Sequence, residues 1–413
     1  MKGAPMRSYG AGLGLLVLVC MLASSCGGGD NLLSSGSKSN SPPPSGSNVV
    51  SAVVNAGPAN NSANTLFVSV TVCAPGSTTN CQTIDDVEVD TASYGLRILS
   101  SALNLALPVQ TLSSGASLLE CTNFVQGYSW GPVVAADLKI GGETADSLPV
   151  QVIGDPNYPT VPADCSGIGT AVDTVTAFGA NGVLGIGPFA LDCGVGCANE
   201  AVPTTYYACT ASSQCIATSV ATAAQVQNPV ASFTKDNNGI IVQLSSVPSS
   251  GAVSATGYLI FGVDTESNNA ISTSQTVLTV DQSDYLTATF NGVSYPQSFI
   301  DSGSNGIYFN DSSLPVCTQT NLTAFYCPSA PVSLSATLTG ANGVTATVDF
   351  TIANTATLLS GTTNLTALSD LGGTYPGAST SVDFGLPFYY GRSVATVIEG
   401  NTTTAGTGPY FAF

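Results

Sequence analysis

The chain has 413 residues, 44% of them hydrophobic, which favours two lobes over one small core. It contains no histidine, excluding Ser-His-Asp and Cys-His nucleophiles, imidazole general bases and histidine-ligated zinc. Lys and Arg total 7 against 25 Asp and Glu, a net charge of −18. Such a field repels phosphate backbones and excludes nucleic acid as a partner. Any chemistry falls to carboxylates, hydroxyls or backbone groups, with no cofactor and no metal expected.

Met1–Ser25 reads as an export signal: Lys2 and Arg7 form the basic end, Leu15–Leu22 the short apolar core, and Ala23-Ser24-Ser25 a small-residue cleavage site. The cysteine that follows, Cys26, makes this segment resemble a bacterial lipobox. That resemblance implies a lipid on Cys26 and, with Gly27 next, an exported protein of the cell envelope held at the outer membrane. The alternative is an ordinary signal cut near Ser25. Residues 26–47 are rich in Gly, Ser, Asn and Pro with little to bury, a flexible tether. No later stretch approaches the 18 apolar residues of a spanning helix.

Twelve cysteines in an exported chain indicate disulfides. Setting aside Cys20 and Cys26 leaves an even set: Cys73, Cys81, Cys121, Cys165, Cys193, Cys197, Cys209, Cys215, Cys317 and Cys327. Cys73/Cys81 and Cys317/Cys327 are close enough to staple local loops. The connectivity of the Cys193–Cys215 cluster stays open, and its spacing is poor for a metal.

The body alternates as half-buried strands do, for example over Leu66–Val72 and Tyr285–Phe290. The chain is therefore expected to be all-β with a few short helices, near Ser100–Leu105 and at Asn228–Lys235, where Asn228 can cap and Pro229 can start the helix. An internal repeat organises it. Strand, turn and strand lead to Asp90-Thr91-Ala92-Ser93-Tyr94-Gly95-Leu96, and again to Asp301-Ser302-Gly303-Ser304-Asn305-Gly306-Ile307. Each copy has a later partner, Val183-Leu184-Gly185 and Asp383-Phe384-Gly385. Residues 48–265 read as one β lobe and 266–413 as the second, each offering one aspartate from an equivalent loop. Asp85, Asp86 and Glu88 read as solvent-facing strand residues, and Arg97 as pairing with one of the many acids.

These landmarks, with Gly257–Gly262 and the final Gly408–Phe413, resemble those of the pepsin-like aspartic proteases, in order over residues 64–413. The resemblance implies a bilobal double barrel with pseudo-twofold symmetry and a catalytic pair, Asp90 and Asp301. Thr91 and Ser302 would brace the two loops, and Ser93 and Ser304 would hydrogen-bond the carboxylates from outside. Ala92 stands where the family carries glycine. Phe124–Gly131 corresponds to the hairpin that covers the substrate, with Phe124, Tyr128 and Trp130 as its flap residues. The implied function is a membrane-tethered, monomeric endopeptidase acting on peptides or proteins by water activation. The alternative is a catalytically silent binding or inhibitor lipoprotein on the same fold. A paired-carboxylate glycosidase is weaker, because the repeat is not what that chemistry asks for.

Overall fold

The computed structural model describes residues 44–360, 364–376 and 380–413. The export signal, Cys26 and the tether as far as residue 43 lie outside them. The described chain is built mostly of strands with a few one-turn helices, as composition and alternation indicate. Both expected helices are short 3₁₀ turns, Ser100–Ala102 and Pro229–Ser232. In the second, Asn228 caps Val230 N–H and Pro229 takes the first turn.

Leu66–Cys73 alternates Val with Ser and Thr and buries its apolar face. It forms a hairpin with Cys81–Asp90, where Cys73 and Cys81 are cross-strand partners and a disulfide. The Asp90 strand runs parallel to Gly182–Ile186. After Asp90 the chain turns through residues 91–93 and returns as Tyr94–Leu99, antiparallel to that same strand. Tyr94–Leu99 is flanked on its other edge, in parallel, by Glu143–Ile153.

The second copy repeats each step. Leu286–Phe290 and Val293–Ile300 form the hairpin. Val293–Ile300 runs parallel to Asp383–Phe384, Ile307–Tyr308 returns antiparallel to it, and Gly372–Gly373 flanks in parallel. Each aspartate therefore ends a strand whose neighbour is clamped between the strands before and after the loop. That placement comes from the topology and leaves little room for the loop to drift.

The two halves share one sheet. Val49–Val54, Ala255–Phe261, Gly239–Leu244, Ser393–Val397, Tyr410–Ala412 and Val277–Thr279 pair in that order. The segments around Gly257 and Phe411, singled out in the sequence, are both strands of this bridge. The main apolar cluster is continuous, from Ala52 and Val70 through Leu184 and Phe261 to Phe384 and Phe411.

All ten body cysteines are paired: 73–81, 121–165, 193–197, 209–215 and 317–327. The cluster left open by spacing resolves into two local bridges. Five disulfides place the folded body in an oxidising compartment outside the cytosol. Among the described residues, no helix is long and apolar enough to cross a membrane.

Candidate active site

The loops after the two aspartate strands fold tightly because glycine lies beneath each of them. A Cβ at Gly185 would sit 2.6 Å from Tyr94 N and 2.7 Å from Ser93 Oγ, and one at Gly385 would overlap the carbonyl oxygens of Ser304 and Gly306. Only a residue without a side chain lets the supporting strand approach this closely.

The loops then lock across the interface. Ser302 N–H donates to Thr91 Oγ1 at 3.0 Å, and Thr91 N–H donates to Ser302 Oγ at 3.2 Å. Each hydroxyl passes its own hydrogen to the opposite strand, Thr91 to Ile300 O at 3.3 Å and Ser302 to Val89 O at 2.7 Å. The Tyr389 hydroxyl lies 2.8 Å from Thr91 Oγ1. Thr91 and Ser302 are both fully buried, so the reciprocal bonds satisfy groups that would otherwise be costly to leave unpaired.

This bracing brings Asp90 and Asp301 together. Asp90 is 5% exposed and Asp301 fully buried. Asp90 Oδ1 accepts the Ala92 N–H at 2.8 Å, and Asp301 Oδ1 accepts the Gly303 N–H at 2.7 Å. A Cβ on Gly303 would lie 2.9 Å from Asp90 Oδ1 and 3.2 Å from Asp301 Oδ1. Both carboxylates therefore approach the same point beside the Gly303 backbone. Burial holds Asp301 well above the usual carboxylate range, and Asp90 and Asp383 add to the effect; bonds from Ser304 and Gly303 partly oppose it.

The outer serines differ. Ser304 Oγ lies 2.8 Å from Asp301 Oδ2, as the motif implies. Ser93 departs from that expectation: its hydroxyl is buried without a hydrogen-bond partner. At the register position behind it, the first copy carries Val183 where the second carries Asp383, so no polar group backs Ser93 there.

A cleft beside the pair is lined by Glu88, Gln126, Phe178, Gly303, Asn305 and Phe325, among others. Gln126 sits at the tip of the hairpin formed by Ser117–Phe124 and Gly127–Ile140, so the hairpin does reach the site. Its expected flap residues do not line the cleft. Phe124 is buried against Phe178, with ring centroids 5.6 Å apart. Trp130 is paired with Cys121 across the hairpin, bonds Tyr158 O at 3.1 Å and packs on Tyr207. Tyr128, two residues earlier, joins the same cluster. Strand alternation turns Tyr128 and Trp130 together onto the disulfide-bonded face.

Glu88 also departs from its solvent-facing reading. It is half-buried in the cleft on the same strand face as Asp90, and burial together with the Asp90 charge holds its carboxyl well above the usual range. Arg97 pairs as expected, but deep inside: it contacts Glu120 at 2.6 Å and Asp192 at 3.4 Å, with Thr122 and the Tyr94 carbonyl completing its shell. Sequence reading missed Glu88, Tyr389 and the polar side of Asp383. Two signals were present: an acid at an alternating position before Asp90, and an Asp where the first copy has Val.

No curated protein matches the chain. Among solved structures it is similar to an aspartic proteinase from Irpex lacteus, at 16% identity, covering 88% of this chain and 96% of that one with a TM-score of 0.49. A family model described as "Protein of unknown function (DUF3443)" matches residues 44–413. Because that match spans nearly the whole chain, the protein belongs to the DUF3443 family.

Proposed function

We propose that the chain is an aspartic-type endopeptidase that activates water between Asp90 and Asp301. The observation that carries this reading is the approach of both carboxylates to one point beside the Gly303 backbone, held by reciprocal Thr91 and Ser302 bonds. Carboxylates this close in a dry site do not both ionise, so the pair shares one proton. A water bound between the two carboxylates gives a proton to the ionised member while the protonated member hydrogen-bonds the peptide carbonyl oxygen. Water oxygen then adds to the carbonyl carbon as the protonated member passes its proton to the carbonyl oxygen, forming a tetrahedral diol. Its collapse breaks the C–N bond, with a proton passing from the pair to the leaving nitrogen. No covalent intermediate forms and no histidine is needed.

The body works as a monomer in the bacterial envelope, tethered at the outer membrane through lipid on Cys26. Cys26→Ala is expected to release it into the soluble fraction. A silent binding protein is the second reading, favoured by Ala92 and by the unpartnered Ser93 hydroxyl. Mass-spectrometric mapping of a peptide library treated with the soluble body separates the two. The peptidase produces cuts that disappear with Asp301→Asn, whereas a silent binder leaves the library intact.

A further inference from the structure

Behind Asp301 lies a carboxyl for which the two-aspartate chemistry has no use. Asp383 is fully buried, and its Oδ2 is 2.6 Å from Ser304 Oγ. The same Ser304 oxygen is 2.8 Å from Asp301 Oδ2. A hydroxyl has one hydrogen and can donate to only one of these oxygens. The other contact is a hydrogen bond only if a carboxyl supplies the proton. Asp383 Oδ1 has no hydrogen-bond partner, so an ionised Asp383 would carry charge on a buried, unpaired oxygen.

We propose that Asp383 is a third carboxyl of this site, a positioning residue that keeps its proton and, by donating it to Ser304, commits the Ser304 hydroxyl to Asp301. The chain of donors runs Asp383 O–H to Ser304 Oγ, then Ser304 O–H to Asp301 Oδ2. Each bond polarises the next. The groups that face Asp383 favour its neutral form: Asp301 and Asp90 are acids, and Tyr308, its cross-strand partner, is a phenol whose hydroxyl is turned to Asn305. Burial pushes Asp383 well above the usual carboxylate range; the Ser304 bond opposes this and Asp90 adds to it.

When Asp383 ionises at higher pH, it draws the Ser304 hydrogen to itself and places a second negative charge beside Asp301. The site then loses its arrangement, so Asp383 sets the alkaline limit of the reaction. This positioning role rests on the peptidase reading; the location of the proton does not.

The test combines infrared spectra of the folded protein near neutral pH with pH profiles of peptide cleavage. In wild type minus Asp383→Asn, a protonated-carboxyl band is expected to be lost; loss of carboxylate bands alone overturns the proposal. Asp383→Val, which copies Val183 of the first repeat, is a second route to the same spectrum. The amide of Asp383→Asn can still donate to Ser304 but cannot ionise. Its kcat/KM in acid is therefore expected to exceed that of Asp383→Val, and its fall with rising pH to come about one pH unit or more above that of wild type. Wild type and Asp383→Asn falling together with rising pH overturns the positioning role. If wild type cuts no peptide, the peptidase reading fails, while the infrared difference still decides the proton.

Discussion

At the scale of single residues, the site depends on what a Cβ or a hydroxyl does at four loop positions. Gly303 is the sharper case: an added methyl would lie 2.8 Å from Asp90 Cγ and push the two carboxylates apart. Gly303→Ala is expected to lower kcat/KM on a cleaved peptide by about 10²-fold or more. Thr91→Val removes the acceptor for the Ser302 N–H and the group beside Tyr389 without changing bulk. Three buried polar groups, Ser302 N–H, the Tyr389 hydroxyl and Ile300 O, lose a partner, so urea denaturation should show a loss of about 1–3 kcal/mol. These roles were legible because they lie in a contiguous motif that occurs twice. Tyr389 and Asp383 were not, because their polar contacts reach residues far away in the chain, and sequence spacing carries no information about which distant hydroxyl a side chain meets.

At the scale of elements, Arg97 shows how the Ser117–Ile140 hairpin is fixed to the loop that follows Asp90. Its strand follows Asp90, Glu120 lies on the first hairpin strand, and Asp192 lies beyond the Gly182–Ile186 support. Tyr206 adds a bond to Asp192 at 2.5 Å, so the cluster joins four segments. Arg97→Met leaves two buried acids without their cation and is expected to cost about 3–5 kcal/mol at neutral pH. Burial and the Glu120 charge push Asp192 well above the usual range, with Arg97 opposing. Acidification therefore neutralises the stranded acid, and the penalty should shrink as pH falls. Denaturation of both proteins across pH measures this; a penalty that does not change with pH would contradict it. The hairpin itself was legible through the family resemblance and the alternating strand that follows it, and the disulfides Cys73–Cys81 and Cys317–Cys327 were legible from proximity. The direction of Tyr128 and Trp130 was not, because alternation says that they share a face but not which face is apolar. That is decided by Cys165 and Tyr207, brought in from elsewhere in the chain.

At the scale of the whole molecule, buried acids give stability an unusual sign with pH. Asp301, Asp383, Asp284 and Glu88 are all pushed well above the usual carboxylate range, chiefly by burial. Between the ordinary and raised values the native state holds protons that the unfolded chain has released. Stability from these groups is therefore complete below the unfolded values and lost as pH rises through the folded ones. Asp264 works in reverse: bonds from Thr404 and Ile271 outweigh its burial and lower it. These four and Asp192 are raised against Asp264 lowered; with less self-repulsion in a chain of net charge −18, this should place Tm higher near about pH 5 than near about pH 8. A higher Tm at the alkaline end would contradict this. The bilobal plan was readable from the repeat, because each copy carries its own strand, loop and glycine support. The bridging sheet was only half readable: the segments around Gly257 and Phe411 read as strands, but their order across the two halves is set by pairings between distant strands.

The most direct measurement is the kcat/KM of Asp90→Asn, Asp301→Asn and the double variant on a peptide that the wild type cleaves. Two carboxylates working on one water should fail as a unit. Each single change is expected to lower the rate by about 10²–10⁴-fold, and the double change should cost little more than either. A single variant that keeps wild-type activity, or a double variant whose loss is the product of the two, would contradict a shared catalytic pair.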